Sequence, residues 1–204
     1  NVDWGEQLHF VKQYVDEHHI QHCWFAYFIQ GGMDPRYYVP KCDLLPTFDS
    51  IGFNEQIDAP PEVEGPVLIS AGTVNGFEFG SELLNPYQDF MSRKPDAEIA
   101  NAVFVYNGHF SLHHAAALSH VQRANNLLAD KRLAEAESEA SKAVELYPES
   151  LSAEVALGDA LAVQQRKPEA RTAYEHAMSV ARRMQRGADK VWTANVQQKI
   201  DALK

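Results

Sequence analysis

Residues 124–143, ANNLLADKRLAEAESEASKA, and residues 158–177, GDALAVQQRKPEARTAYEHA, carry one pattern twice, 34 residues apart. Ala124, Leu127, Ala136 and Ala143 recur as Gly158, Leu161, Ala170 and Ala177. The apolar and small positions fall three to four residues apart within each half, the spacing of helices. Antiparallel helices approach nearly backbone to backbone only where the facing residues are Ala or Gly. Ala124 is therefore expected against Ala136, and Gly158 against Ala170. Leu127, Leu157, Leu161 and Tyr174 are large enough to fill the space between turns, while Gln164 reads as a surface position. Pro148 follows the second helix of the first unit, where proline cannot continue a helix. The first unit departs from the second at Arg123 and Ala140.

A 34-residue helix-turn-helix period with small residues at these places resembles the tetratricopeptide repeat. The resemblance implies a binding surface for a protein or peptide rather than a catalytic site. Its groove-facing positions are Val121, Asn125, Leu128, Val155, Asp159 and Ala162. A groove that clamps a C-terminal carboxylate needs Lys or Arg there, and Val121 and Asp159 argue against that mode. Two repeats are fewer than the roughly three that make a stable array. The last helix, about Asp189 to Leu203 with Val191, Val196 and Ile200 as its stripe, is the natural C-terminal cap.

Upstream of residue 111 the pattern changes. Residues 1–110 carry 16 Asp and Glu against 5 Lys and Arg, whereas residues 111–204 carry 12 against 13. So acidic a first half repels phosphate backbones, which excludes nucleic acid as a partner. Hydrophobic content of 45% and charged content of 23% are those of an ordinary globular chain. No apolar run reaches the length that spans a bilayer. Asp3 with Glu6 makes a capping box for a helix over about 4–18, with Leu8, Val11 and Val15 as its stripe beside Phe10 and Tyr14. Residues 23–29, CWFAYFI, read as a buried strand bounded by Gly31 and Gly32. Residues 35–65 hold five prolines and read as a long loop. Val67–Ala71 is a second strand, Pro86–Met91 a short helix, and Ile99–Tyr106 a third strand. The expected fold is an α/β domain over 1–110 with a small, mainly parallel sheet, then an all-α repeat domain over 111–204. Cys23 and Cys42 permit one disulfide. Cys23 lies in an apolar run where a buried free thiol is the commoner state, so the pairing stays open.

Asp3-Trp4-Gly5 with Leu8, Tyr27-Phe28, Asp34-Pro35, Tyr37-Tyr38 with Pro40, Ile69-Ser70, Gly76, Pro95 and Val105-Tyr106 follow one another in an order of their own. This order resembles the soluble C-terminal region of bacterial polytopic glycosyltransferases related to protein O-mannosyltransferases, over about residues 1–107. Such enzymes use a polyprenyl-phosphate-linked sugar, and their catalytic acids lie in membrane-proximal loops near the enzyme's start, which nothing here matches. The resemblance implies a non-catalytic soluble region on the extracytoplasmic face of a bacterial inner membrane. Contact with the membrane would come only through an upstream segment. The abrupt start at Asn1 reads as that of an excised fragment. The rival reading is a free-standing adaptor whose α/β part binds a small polar ligand such as a sugar.

The candidate ligand site is Trp4, Asp34, Tyr37, Tyr38 and Ser70. These residues are expected near the carboxyl ends of parallel strands, where ligands bind in open α/β sheets. Carboxylates accept hydroxyl hydrogen bonds and aromatic rings stack on C–H faces. Equally, Asp34-Pro35 makes a turn and the tyrosines pack the loop. A third reading, a small hydrolase or transferase using Asp34 or Ser70, lacks a nucleophile-elbow motif. His18, His19, His22 and Cys23 have no helical spacing once Ile20 ends the helix, so no metal site is assigned, and no cofactor is implied.

Overall fold

In the computed structural model the described residues are 5–28, 34–47, 57–80, 82–184 and 188–204, the side chains of residues 82, 188 and 189 excepted. The chain divides into two compact units, Asn1–Ser81 with Asn85–Ala115, and Glu82–Leu84 with Ala116–Lys204.

The first unit is an α/β layer. Helix α1 (Leu8–Glu17) buries Leu8, Val11 and Val15. It is shorter than the sequence suggests: Gln7 stands at its N-cap position, and the expected cap Asp3 lies outside the described residues. At its end His19 takes φ 52°. The Ile20 N–H bonds the Val15 carbonyl at 3.0 Å and the His19 N–H bonds that of Asp16 at 3.2 Å. This is the Schellman closure, made without its usual glycine.

Strands β1 (Cys23–Ala26), β2 (Cys42–Leu44), β3 (Glu62–Ser70), β4 (Ala97–Ile99) and β5 (Val103–Ser111) form one sheet in the order β2-β1-β3-β5-β4. The sheet is mixed, which corrects the expectation of a mainly parallel one. β1 runs parallel to β2 and β3, but β3–β5 and β5–β4 are antiparallel. The single strand read over Ile99–Tyr106 is a hairpin. It reverses through Ala100 and Asn101 at φ 49° and 55°, with the Ala102 N–H on the Ile99 carbonyl at 3.0 Å. Alanine there carries no turn signal, which hid the hairpin.

The region read as a loop, 35–65, contains a short 3-10 turn (Pro35–Tyr37), β2 and the start of β3. Pro66 sits inside β3 rather than before it. β1 pairs only with Val67–Ile69 of that strand, so around Pro66 the strand has β5 as its single neighbour and the missing N–H is tolerated. The helix expected over Pro86–Met91 is a 3-10 turn, Gln88–Ser92. A short helix α2 (Ala71–Val74) follows β3 directly.

Side chains alternate across the sheet. Cys23, Phe25, Leu68, Val103 and Val105 pack with the α1 stripe. Val63, Val67, Ile69, Tyr106 and Phe110 pack with Tyr87, Phe90 and Leu112 on the opposite face. Cys23 and Cys42 stand opposite in the β1–β2 register and form a disulfide, with Cα atoms 4.3 Å apart. The free-thiol alternative is thereby set aside: parallel register places the two side chains on the same face.

In the second unit helices α3 (His113–Ala129), α4 (Leu133–Leu146), α5 (Leu151–Val163), α6 (Lys167–Arg183) and α7 (Ala188–Ala202) follow one another, with α3 entering the unit after Ala115. No strand occurs between 115 and 200 among the described residues. The 34-residue offset extends to backbone detail. Lys131 and Gln165 take φ 61° and 62°. The next N–H groups, of Arg132 and Arg166, bond the carbonyls of Leu127 and Leu161 at 2.8 and 3.0 Å. Arg132 and Arg166 are then the N-caps of α4 and α6 and ion-pair with Glu135 and Glu169.

Ala124, Ala136, Ala143, Ala170 and Ala177 are wholly buried. The neighbour that a side chain at Gly158 would strike is the Tyr174 ring. Gln164, expected at the surface, is half-buried and donates to Glu137 at 2.9 Å, beside Arg166 at 2.6 Å, tying the second hairpin's turn to α4. In α7, Val191 is 73% exposed and Trp192 takes its place in the stripe with Val196 and Ile200. The spacing 192, 196, 200 keeps one face; 191 lies a hundred degrees off it.

Candidate functional site

Two surfaces, one in each unit, hold the residues singled out by sequence. In the α/β unit Trp4 lies outside the described residues. Ser70, at the carboxyl end of β3, is 2% exposed and works as a cap. Its Oγ accepts the Thr73 N–H at 3.3 Å and the Phe28 N–H at 3.4 Å, and lies 2.8 Å from Thr73 Oγ1. Thr73 Oγ1 donates onward to the Glu78 carboxylate. The hydroxyl is thus spent on fastening α2 to the parallel strand ends.

Asp34 caps the 3-10 turn. It receives the Arg36 N–H at 2.9 Å and the guanidinium Nε at 2.8 and 3.0 Å. The Arg36 hydrogen bonds hold its carboxyl below the usual carboxylate range. Tyr37 is 85% exposed, while Tyr38 is half-buried against the α1 face of the sheet. Among the described residues no hydrogen bond joins Ser70 to the Asp34–Tyr38 turn.

The histidines near α1 are likewise committed locally. His18 bonds the Tyr14 carbonyl at 3.0 Å, His19 makes the helix end, and Cys23 is in the disulfide. Among the described residues no three His, Cys, Asp or Glu side chains stand where they could hold a metal ion. His114 is half-buried, and desolvation pushes its pKa down to about 4 against a hydrogen bond to the Asn85 backbone. Its imidazole is neutral at physiological pH.

What the fold does assemble is a cleft of about 460 Å³ at the β2 edge of the sheet, lined by Trp24, Arg36, Asp43, Ile57 and Asp58 beside Cys42 and Leu44. Trp24 and Asp43 are register partners across β1 and β2. The indole Nε1 donates to the Glu64 carbonyl at 3.2 Å, and Asp43 meets His22 Nε2 at 2.9 Å. The His22 ring stands edge-on to Trp24, centroids 5.1 Å apart. Sequence reading missed this group because Trp24 sits in an apolar run and Asp43 in a proline-rich stretch. The one signal that joins them is the cysteine before each.

In the helical unit Val121 is buried, Asn125 is exposed, and Leu128, Val155, Asp159 and Ala162 are half-buried. Asp159 is occupied. The Tyr174 hydroxyl donates to its Oδ1 at 2.6 Å, and Lys199 Nζ of α7 lies 2.6 and 2.9 Å from its two oxygens. The last helix therefore already engages this expected groove position. A further cleft of about 490 Å³ lies along α6 and α7, with Arg182 and Lys190 in its lining beside Met178.

Compared with known proteins, the chain matches no family model and no curated protein. No helix among the described residues is long and apolar enough to cross a membrane.

Proposed function

We propose that this chain is a non-catalytic extramembrane region of a membrane glycosyltransferase that uses a polyprenyl-phosphate sugar, and that its helical unit is a tetratricopeptide-type platform for a protein partner. The platform rests on one observation above all: two helical hairpins repeat with a left-handed residue at the same turn position, the same Arg cap and the same Arg–Glu pair at an offset of 34 residues. Repeating hairpins present exposed helix faces in series, which suits them to extended partners. Asn125 and Leu128 on α3 and the α6–α7 cleft are the surfaces offered; the position of Asp159 is closed by Lys199. The membrane-enzyme assignment rests on the resemblance of residues 1–107. The Cys23–Cys42 disulfide supports the extracytoplasmic side, because disulfides persist in oxidising compartments.

The test uses the full-length membrane protein, with and without residues 116–204, and the purified 204-residue chain. Transfer from a polyprenyl-phosphate sugar to a soluble acceptor is measured in each. The isolated chain is expected to be inert. The truncated enzyme is expected to keep donor turnover while losing its cross-linked protein partner. Transfer by the isolated chain, or an upstream gene sequence without spanning helices, would overturn the assignment. The free-standing adaptor is the second reading, and the Trp24 cleft is the observation that favours it.

A further inference from the structure

We propose that the cleft at the β2 edge binds a neutral saccharide, with Trp24 as its stacking platform and Asp43, Asp58 and Arg36 as its hydroxyl partners. This inference is independent of the membrane-enzyme assignment, since it concerns only groups within the α/β unit.

The volume, about 460 Å³, falls within the roughly 300–1,000 Å³ range of small-molecule sites. Its lining combines an aromatic side chain with two carboxylates and a guanidinium. Asp43 and Arg36 side chains are 67% and 56% exposed, so each can reach a ligand while keeping its present partner. Trp24 is held by its indole N–H on the Glu64 carbonyl and by the edge of His22. The disulfide between the preceding residues locks the Trp24–Asp43 pairing. The platform and its adjacent carboxylate are therefore positioned before a ligand arrives, which lowers the entropic cost of binding.

Charge narrows the ligand class. Asp43, Asp58 and the neighbouring Asp34 outnumber Arg36, and Arg36 is already forked onto Asp34. An anion would meet more carboxylate than guanidinium, so phosphates and carboxylic acids are disfavoured. A quaternary amine would suit Trp24 but has neither donor nor acceptor, and so would leave the hydrogen-bonding groups of Asp43, Asp58 and Arg36 unused. A ring with an apolar face and hydroxyls that both donate and accept satisfies every group in the lining.

Saturation-transfer NMR on the intact chain, with methyl α-D-mannopyranoside and methyl α-D-glucopyranoside as probes, tests this. Saturation of ring C–H protons is expected for at least one glycoside, with Trp24→Ala abolishing it. Asp43→Asn, at an exposed side chain where folding is not at stake, is expected to weaken binding about tenfold, as loss of a hydrogen bond to a charged group does. Asp89→Asn, exposed and outside the cleft, is expected to leave binding unchanged. Three results would overturn the proposal: no transfer to either glycoside, binding indifferent to both Trp24→Ala and Asp43→Asn, or tighter binding of choline or inorganic phosphate than of the glycosides. A negative result here leaves the transfer assay on the full-length enzyme untouched, so the two failures are distinguishable.

Discussion

Gly158→Ala sets two opposing effects against each other, and the geometry decides between them. An alanine in place of glycine inside a helix normally gains about 0.8–1.0 kcal/mol. Here the new methyl would stand 2.5 Å from Cδ1 and 2.9 Å from Cζ of Tyr174, with Cε1 also in overlap. The ring has nowhere cheap to go. Tyr174 is 2% exposed, its hydroxyl is tied to Asp159 at 2.6 Å, and Asp159 is held by Lys199. Overpacking of this sort costs about 1–3 kcal/mol. With contacts this short we take the upper part of that range, leaving a net loss of about 1–2 kcal/mol after the helical gain. Each kcal/mol lowers the midpoint of a unit this size by roughly 4–8 °C. Urea and thermal unfolding followed by circular dichroism at the helix band measure it. Tyr174→Leu supplies the second side of a double-mutant cycle. With the ring gone, Gly158→Ala should turn from costly to favourable, a coupling of about 2–3 kcal/mol between the sites. Ser179→Ala, at an exposed position of the same helix α6, should stay within about 0.5 kcal/mol. If Gly158→Ala stabilises the wild-type chain, or costs the same in both backgrounds, the packing account is wrong.

Three further outcomes follow from the structure. Replacing Cys23 and Cys42 together by serine should lower stability by about 2–4 kcal/mol, the effect of opening a cross-link between residues 19 apart; unchanged urea midpoints with and without reductant would show that the bond contributes nothing. Lys131→Gly and Gln165→Gly should each be neutral to stabilising by up to about 1 kcal/mol, because both residues stand in the left-handed region that costs a side chain roughly 1–2 kcal/mol and glycine little; a clear loss of stability would argue against that turn geometry. For Glu139, burial alone would raise the pKa, but hydrogen bonds from Lys142, His120 and Arg123 outweigh it and bring it from 4.5 to about 2. A depressed folded-state pKa means its stabilisation is fully present above pH 4.5 and is lost as the pH falls toward 2, on the order of 3 kcal/mol in all. Glu139→Gln should flatten that acid limb of the melting-temperature profile, and an acid limb as steep as wild type's would refute the assignment.

The two halves of the chain differ in how far they can be read from sequence, and the difference is one of contact range. In the helical unit the informative contacts lie within one hairpin or one repeat, so small residues at fixed offsets report them directly: Ala124, Ala136, Ala170 and Ala177 are buried where the spacing puts them. Even there, finer packing escaped. Val191 and Trp192 differ by one residue, and only the neighbour they meet tells which belongs to the stripe. In the sheet the deciding facts are registers between distant segments. β2 is three residues long with no periodicity to find. The β4–β5 hairpin turns on an alanine, and Pro66 is admitted to β3 only because the strand has one neighbour there. The candidate ligand residues show the same limit. Asp34 and Ser70 have the chemistry of ligand-binding groups, yet the structure uses both as caps, a role short polar side chains fill whether or not a ligand exists. Trp24, Arg36, Asp43 and Asp58 are each ordinary in their own segment of sequence. Trp24 and Asp43 meet because Cys23 faces Cys42 across parallel strands. Paired cysteines fix the register of these two strands, and only because the strands run parallel does that register carry Trp24 to Asp43 and not to Lys41.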